Sequence, residues 1–293
     1  MKYWCVLLSL VLLWSCKSEP KKTWEFKIQD HLEETKPIQA PIPSLEDSTF
    51  QIAFDGNLID VIVDMPNEPF IGTIIALPGW NFPNTGWCDS TQLCMKASRK
   101  GYALVLPQMG KSIYCDTIYP ETRSSWRKYP TRAWFKNVLI PELQKHNLLD
   151  TLQNNYVLGL STGARGAALI ALDCPELFSA CGLLSGDYDQ TQFPSDNLYR
   201  GYYGPLNNFP NRWQDEDNVI TSIEQFIVPA YLAHGGDDNI VPETHSKTLY
   251  KELQVRSKEC QYEMIPDAKH TYSFWDSQVD AMLNYFSEHK KNQ

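Results

Sequence analysis

The residues with the clearest chemical potential are the five of the stretch Gly159-Leu160-Ser161-Thr162-Gly163. A strand-like apolar run at residues 156–160 precedes the serine, and an Ala/Leu-rich helical run follows at 164–172. A serine on so tight a strand-to-helix turn is strained, and the flanking glycines let neighbouring backbone pass without a clash. We therefore predict that Ser161 is a nucleophile. The N–H of Thr162, at the start of the helix, is a predicted oxyanion donor.

A neutral serine needs a base to accept its proton, and histidine is the usual one. His270 lies in the loop after the last predicted strand and just before a helix, so it is the predicted base. At His234, which ends the preceding strand, we expect a backbone-supporting role. The remaining histidines lie in the N-terminal segment, on helices or in the C-terminal tail: His31, His146, His245 and His289.

The base in turn needs a carboxylate to fix its tautomer. The run His-Gly-Gly-Asp-Asp-Asn-Ile-Val-Pro at residues 234–242 follows a predicted strand and offers Asp237 and Asp238. A metal site built from His234 and these two aspartates would lack a recognised ligand spacing, so no metal is predicted.

Buried strands that alternate with helices are expected to position these side chains. After an N-terminal hairpin, this succession predicts an α/β fold with a mostly parallel sheet and helices on both faces. Functional groups are then expected at the carboxyl ends of the strands. Strands are predicted at residues 49–55, 58–64, 72–77, 102–106, 156–160, 178–184, 226–233 and 260–265. Helices are predicted at 89–100, 131–147 with a kink at Pro141, 164–172, 242–254 and 272–289.

Two long segments, at about residues 107–130 and 186–225, lack a sustained period and are rich in aromatics. We expect most of these rings to pack the excursions onto the domain and the rest to line a cleft above Ser161. Trp80, Tyr114 and Trp126 are the predicted substrate-binding residues. Arginines at positions 123, 127 and 165 either meet a substrate carboxylate or lie at the surface.

The serine turn, the HGxxDxxVP-like run and the late histidine, in the order Ser, Asp, His, resemble the α/β-hydrolase superfamily. The segment at residues 159–167 is most similar to the esterase D and feruloyl-esterase-like group. The resemblance implies an α/β-hydrolase fold and places the acid at Asp238, with Asp237 and Asp187 as alternatives. It also implies that the N–H of Trp80 is the second oxyanion donor, although Pro78 replaces the family's usual histidine.

The resemblance implies a serine hydrolase that cleaves carboxylic esters through an acyl-enzyme, without metal or organic cofactor. Small-molecule esters and acyl groups on oligosaccharides are the candidate substrates. A serine peptidase of the same fold is the first alternative, and a non-catalytic surface-binding module on a hydrolase scaffold is the second.

The whole chain has 293 residues, a formal net charge of −9 and 43% apolar residues. The acidic balance argues against a nucleic-acid partner, which would need a basic face. Lys2 and the apolar run at residues 3–14 read as a signal peptide. Because Leu13-Trp14-Ser15-Cys16 resembles a bacterial lipobox, we predict a signal peptide at 1–15 and lipidation of Cys16. A tether at 16–47 and a hydrolase domain at 48–293 would follow.

These features predict an exported protein held on a bacterial membrane, at its periplasmic face or at the cell surface. A soluble secreted protein is the alternative. Export permits disulfides, and six cysteines remain beyond Cys5 and Cys16. Their connectivity stays open; a bridge between Cys88 and Cys115 is the first expectation. Of the remaining cysteines, three are expected to be buried in the core as small apolar residues: Cys94, Cys181 and Cys260.

Overall fold

The computed structural model describes residues 47–291 apart from Glu216. The described residues belong to one compact unit, which spans residues 40–293. The predicted signal peptide, the lipidation site at Cys16 and nearly all of the tether lie outside the described residues.

One eight-stranded sheet forms the centre of this unit, in the order β1-β2-β4-β3-β5-β6-β7-β8. The first two strands form an antiparallel hairpin, β2 also pairs antiparallel with β4, and every other pairing is parallel. The predicted fold class is therefore confirmed. The strands are β1 (Ser48–Phe54), β2 (Asn57–Asp64), β3 (Gly72–Leu77), β4 (Tyr102–Pro107), β5 (Asn155–Leu160), β6 (Phe178–Leu184), β7 (Ala230–Gly235) and β8 (Cys260–Ile265).

Helices cover both faces of the sheet, which is why the central strands are continuous apolar runs rather than alternating ones. One apolar core contains side chains of α3, α4, α5 and α8, and the other contains side chains of α1, α2, α9 and α10. The helices are α1 (Gly86–Ser90), α2 (Leu93–Arg99), α3 (Thr131–Trp134), α4 (Ile140–Lys145), α5 (Thr162–Asp173), α6 (Asn197–Tyr203), α7 (Pro210–Gln214), α8 (Thr244–Val255), α9 (Tyr272–Ser277) and α10 (Val279–Glu288).

Three predicted helices are interrupted. The helix expected at 89–100 is two short helices, and the terminal one expected at 272–289 divides at Gln278. Between α3 and α4, the segment Phe135–Leu139 is π-helical and ends just before Pro141. Because proline cannot donate a backbone hydrogen bond, a looser turn before it lets the chain continue.

The strand expected at 226–233 starts later, at Ala230. Phe226 and Val228 are buried, but they pack from a loop ahead of Pro229 rather than from the sheet ladder. In the excursions, a third apolar cluster gathers mostly aromatic side chains, as expected. Its buried members are Ile113, Cys115, Tyr199, Tyr202, Tyr203 and Trp213.

The disulfide expected between Cys88 and Cys115 is wrong. Cys88 pairs with Cys94, and their Cα atoms are 5.2 Å apart. The end of α1 and the start of α2 bring these two residues together, whereas Cys115 is a free buried thiol in the cluster of the excursions. Cys94 is thus half of a bridge and not a buried hydrophobe. Among the described helices, none has the length and apolar character needed to cross a membrane.

Candidate active site

Ser161 lies at the tight turn between β5 and α5, with φ 56° and ψ −128°. This strained conformation matches the predicted nucleophile turn. A Cβ on Gly159 would overlap the carbonyl of Gly163, and a Cβ on Gly163 would lie 2.5 Å from the Leu77 oxygen. Glycine is therefore required at both positions. The Ser161 N–H donates to the Leu184 carbonyl at 2.9 Å, which ties the turn to the end of β6.

The two predicted oxyanion donors lie on either side of the serine. Thr162 is the first residue of α5, and Trp80 follows Gly79 in the loop after β3. A Cβ on Gly79 would lie 3.2 Å from the Ser161 Cβ, so this loop passes directly against the nucleophile. Among the described residues, the backbone N–H of neither Trp80 nor Thr162 has an acceptor. Both remain available to an oxyanion.

Tyr114 is not in a position to contact substrate. Its ring is fully buried, and a Cβ on Gly166 of α5 would lie 2.5 Å from it. The Tyr114 hydroxyl donates to the Pro78 carbonyl at 2.8 Å. The prediction that it lines the cleft is therefore wrong, because the aromatic pattern could not distinguish a ring above the loop from one below it. Tyr114 supports the loop that carries Trp80.

Asp238 and His270 form the acid–base pair expected from the sequence. The Asp238 Oδ2 lies 2.7 Å from the His270 Nδ1, and Oδ1 accepts the N–H groups of Ile240 and Val241, each at 2.9 Å. Asp237, the alternative, is exposed and lies 3.8 Å from the Lys269 ammonium. With Nδ1–H donating to Asp238, the His270 Nε2 is left with a lone pair that can accept a proton.

Burial of Asp238 would raise its pKa, but hydrogen bonds from His234, from His270 and from the Val241 N–H hold that pKa well below its usual range. The carboxylate is therefore charged at neutral pH. The fully buried His234 also contacts the Ser246 hydroxyl at 2.7 Å and the Val241 carbonyl at 2.9 Å. It supports the Asp238 turn, in line with the backbone-supporting role expected for it.

The three predicted catalytic residues follow β5, β7 and β8, whose carboxyl ends share one edge of the sheet. The segment after β8 folds back across this edge. His270 packs edge-on against Trp275 with ring centroids 5.1 Å apart, and the Trp275 indole donates to the Ser185 hydroxyl at 3.1 Å. Ser185 follows β6, the strand beside β5, so His270 is drawn towards the Ser161 side of the sheet.

Asp187 also lies after β6 but is not hydrogen-bonded to His270. Its carboxylate lies 3.6 Å from the Arg165 guanidinium, and neither side chain is exposed. Burial raises the pKa of Asp187 to about 6, and the charges of Arg165 and His270 partly oppose the rise. As a partner for His270, Asp187 is thus less well placed than Asp238.

A metal centre has little support in the described residues. The one group of ligand-type side chains close enough to hold an ion consists of Asp64, Cys88 and Cys94, and the two cysteines form the disulfide. The sulfur atoms are therefore not available as thiolates.

Residues 139–293 match the model of the prolyl oligopeptidase family. The chain belongs to the prolyl oligopeptidase family. The match begins shortly before α4 and includes Ser161, Asp238 and His270, whereas Trp80 and the first excursion precede it. A comparison with curated protein sequences finds no significant match.

Solved structures similar to this prolyl oligopeptidase-family chain share its fold at low identity. An S-formylglutathione hydrolase from Agrobacterium tumefaciens is 17% identical with a TM-score of 0.67, covering 83% of this chain and 95% of that one. A ferulic acid esterase is 16% identical with a TM-score of 0.61, covering 83% and 98%. A putative dipeptidyl aminopeptidase IV from Bacteroides ovatus is 16% identical with a TM-score of 0.64, covering 83% of this chain but 36% of its own.

These likenesses confirm the α/β-hydrolase fold expected from the serine turn. They also include an S-formylglutathione hydrolase and a ferulic acid esterase, which agrees with the resemblance of the sequence to the esterase D and feruloyl-esterase-like group. The sequence patterns do not predict the contacts that Trp275 and Arg165 make. Arg165 follows the serine motif by two residues and Trp275 follows His270 by five; that closeness was the only available signal.

Proposed function

We propose that this chain is a serine hydrolase that cleaves carboxylic esters through an acyl-enzyme on Ser161. The main support for this proposal is the 2.7 Å contact between the His270 Nδ1 and the Asp238 Oδ2, at the same sheet edge as the strained serine. A fixed carboxylate behind an imidazole, beside a serine on a nucleophile turn, is the arrangement that serine hydrolases use. The esterase likenesses in fold are consistent with this proposal.

In the proposed mechanism, the His270 Nε2 takes the Ser161 proton as Oγ attacks the ester carbonyl. The tetrahedral oxyanion accepts hydrogen bonds from the N–H groups of Trp80 and Thr162. His270 then gives its proton to the departing alcohol, which leaves the acyl group on Ser161. Water, deprotonated by His270, releases the acid, while the charged Asp238 stabilises the imidazolium in both steps.

The test is hydrolysis of short 4-nitrophenyl esters by the purified chain and by Ser161→Ala. We expect the variant to lose about 10³-fold or more in kcat, because the nucleophile is gone while donors and binding groups remain. Ser287→Ala, on α10 and far along the chain from the turn, is the matched control and should keep wild-type turnover. Undiminished turnover by Ser161→Ala would discard the mechanism.

A serine peptidase is the second candidate, favoured by membership of the prolyl oligopeptidase family and by the fold likeness to a putative dipeptidyl aminopeptidase IV. The same triad chemistry serves amides. Matched p-nitroanilide and 4-nitrophenyl substrates with the same acyl group discriminate the two, since a peptidase turns over the anilide at a comparable rate. The third alternative, a binding module without activity, predicts no fluorophosphonate labelling of Ser161.

We further propose that the enzyme works outside the cytoplasm, held on a membrane by lipid on Cys16. The signal-like sequence and lipobox-like residues motivate this, and the Cys88–Cys94 disulfide is consistent with an oxidising compartment. Cells of the native host grown with radioactive palmitate should incorporate the label into the wild type but not into Cys16→Ser. Absence of label from the wild type would remove the lipid-anchor proposal.

A further inference from the structure

Three aromatic rings from three different segments meet beside the oxyanion loop. Trp80 packs edge-on against Trp126 with ring centroids 4.8 Å apart and against Tyr202 at 5.9 Å, and Trp126 lies 5.5 Å from Tyr202. Trp80 and Trp126 are partly exposed, while Tyr202 is buried. Because Gly79 passes against Ser161, this ring cluster (Trp80, Trp126 and Tyr202) begins at the residue that follows the glycine beside the nucleophile.

An arginine is fixed at the far side of the ring cluster. The Arg123 guanidinium carbon lies 4.6 Å from the centroid of the Trp126 ring, and the backbone N–H of Arg123 donates to the Gly201 carbonyl at 2.8 Å. A Cβ on Gly201 would overlap the Trp126 ring and lie 3.0 Å from the Arg123 Nε. The absence of a side chain at Gly201 of α6 therefore leaves the space that the Trp126 indole and the Arg123 guanidinium occupy.

The Arg123 guanidinium has donors to spare. It is exposed, and no carboxylate of the described residues lies within ion-pairing distance. The neighbouring arginines already bind groups of the protein. Arg127 donates to the carbonyls of Pro120 and Thr122, and Arg212 pairs with Glu121 at 2.5 Å. In a chain of net charge −9, an arginine side chain that stacks on Trp126 beside the proposed active site, without an acidic partner among the described residues, favours an anionic ligand.

We infer that the ester substrate carries a carboxylate that binds Arg123 while the intervening part of the substrate packs on the ring cluster. Guanidinium and carboxylate match as a planar bidentate pair, and a partly exposed aromatic surface suits a sugar or aryl group between the charge and the ester. The inference rests on the proposed esterase function and specifies its substrate class, namely esters that keep a free carboxylate on a sugar or aryl group.

The experiment uses two pairs of probes that differ only in carboxylate against carboxamide. On the acyl side, 4-nitrophenyl 4-carboxycinnamate is compared with 4-nitrophenyl 4-carbamoylcinnamate. On the alcohol side, 4-acetoxycinnamate is compared with 4-acetoxycinnamamide. The wild type should prefer the carboxylate in at least one pair by about 10-fold in kcat/KM, mainly through KM, and the pair affected tells which side of the ester faces Arg123.

Arg123→Gln should bring that preference to about 1, and Arg123→Lys should leave an intermediate value because an ammonium lacks the bidentate fork. Arg200→Gln removes the same charge from α6, one residue before Gly201, and should keep the full preference. Thermal unfolding midpoints of all variants establish that each is folded.

No preference in either pair for the wild type, or a preference that survives in Arg123→Gln, would overturn the inference. These outcomes are distinct from failure of the esterase proposal. If Ser161-dependent hydrolysis occurs with a carboxylate-to-carboxamide ratio of 1, only the anionic substrate is lost. If no ester is turned over at all, the proposed function itself fails.

Discussion

At the scale of single residues, Asp238 is held in place more completely than any other predicted catalytic group. Both carboxylate oxygens are engaged, one by two backbone N–H groups and the other by His270 at 2.7 Å. Burial would raise the pKa of Asp238, but hydrogen bonds from His234, His270 and the Val241 N–H hold it below the usual range. The neighbouring Asp237 has no comparable set of donors and is exposed.

We predict that Asp238→Asn lowers kcat by roughly 10⁴-fold at neutral pH with little change in KM, because the amide favours the wrong His270 tautomer and cannot stabilise its charged form. Steady-state hydrolysis of a 4-nitrophenyl ester measures this. Asp237→Asn is the matched control, one residue away, and should remain close to wild type. Comparable losses of kcat in the two variants would mean that Asp238 is not the acid.

Asp187 supplies a prediction about pH and stability. Its pKa rises to about 6 in the folded state by burial, above the ordinary value of 3.8. The folded state therefore holds this proton more tightly than the unfolded state. The resulting stability is fully present below pH 3.8 and is lost as the pH rises through about 6.

Asp187→Asn should remove that dependence. Between about pH 4 and pH 7 the wild type should lose up to ~3 kcal/mol of unfolding free energy relative to the variant, because only the wild type must ionise a buried carboxyl group. Urea titrations at several pH values measure the difference. Loss of the contact with Arg165 displaces the curve by a constant but leaves its slope, so a difference that is flat with pH contradicts the assignment.

At the scale of elements, the two excursions are fastened to the nucleophile helix by one side chain. Arg165, in the first turn of α5, donates to the Ile113 carbonyl of the first excursion at 3.2 Å. From the second excursion it binds the Gln190 side chain at 2.9 Å and the Asp217 carbonyl. Its guanidinium is fully buried. The segments above the site are therefore anchored parts of the fold.

We predict that Arg165→Met costs about 3–5 kcal/mol of unfolding free energy, because it leaves the buried Asp187 without its countercharge and several acceptors without donors. Arg256→Met, which removes a partly exposed arginine from surface ion pairs with Glu224 and Glu252, is the control and should cost much less. Chemical denaturation of both variants compares the losses. Equal losses would mean that the buried network does not anchor the excursions.

At the scale of the whole molecule, the sheet edge collects residues that are far apart in sequence, and several supports converge on the loops there. Trp87 of α1 donates to the Leu77 carbonyl at 3.1 Å, immediately before the loop that carries Trp80. A Cβ on Gly86 would overlap the Tyr272 hydroxyl, two residues after His270. The Cys88–Cys94 disulfide joins α1 to α2 beside these contacts.

Replacing both cysteines, as in Cys88→Ser with Cys94→Ser, should lower the free energy of unfolding by about 2 kcal/mol, the loop-closure value for so short a loop. Because α1 supports both loops, kcat should fall as well. Denaturant unfolding and ester hydrolysis measure the two effects. Cys174→Ser, at a free cysteine, is the control for removal of a thiol. Unchanged stability of the double variant would mean that the bridge adds nothing to the folded state.

The sequence by itself determined the fold class and the serine turn, and it predicted the candidate residues of the site. Gly159, Ser161 and Gly163 could be recognised because a nucleophile turn requires those residue types at that spacing, a local steric requirement. The strands β6 and β8 were predicted to the residue, since their apolar or β-favouring runs end at clear turn signals. His270 was predicted as the base because it lies in the loop after the last strand, and in the structure its Nδ1 lies 2.7 Å from the Asp238 Oδ2.

Only the tertiary structure shows which aromatic residues are buried or exposed and which cysteines pair. Tyr114 and Trp126 look alike in sequence, yet one lies buried beneath the oxyanion loop and the other lies beside Arg123 at the surface. Cys94 rather than Cys115 pairs with Cys88, because bridging depends on distance between chain segments. Such choices arise from packing between segments far apart in the chain, and local residue patterns carry no record of those distances.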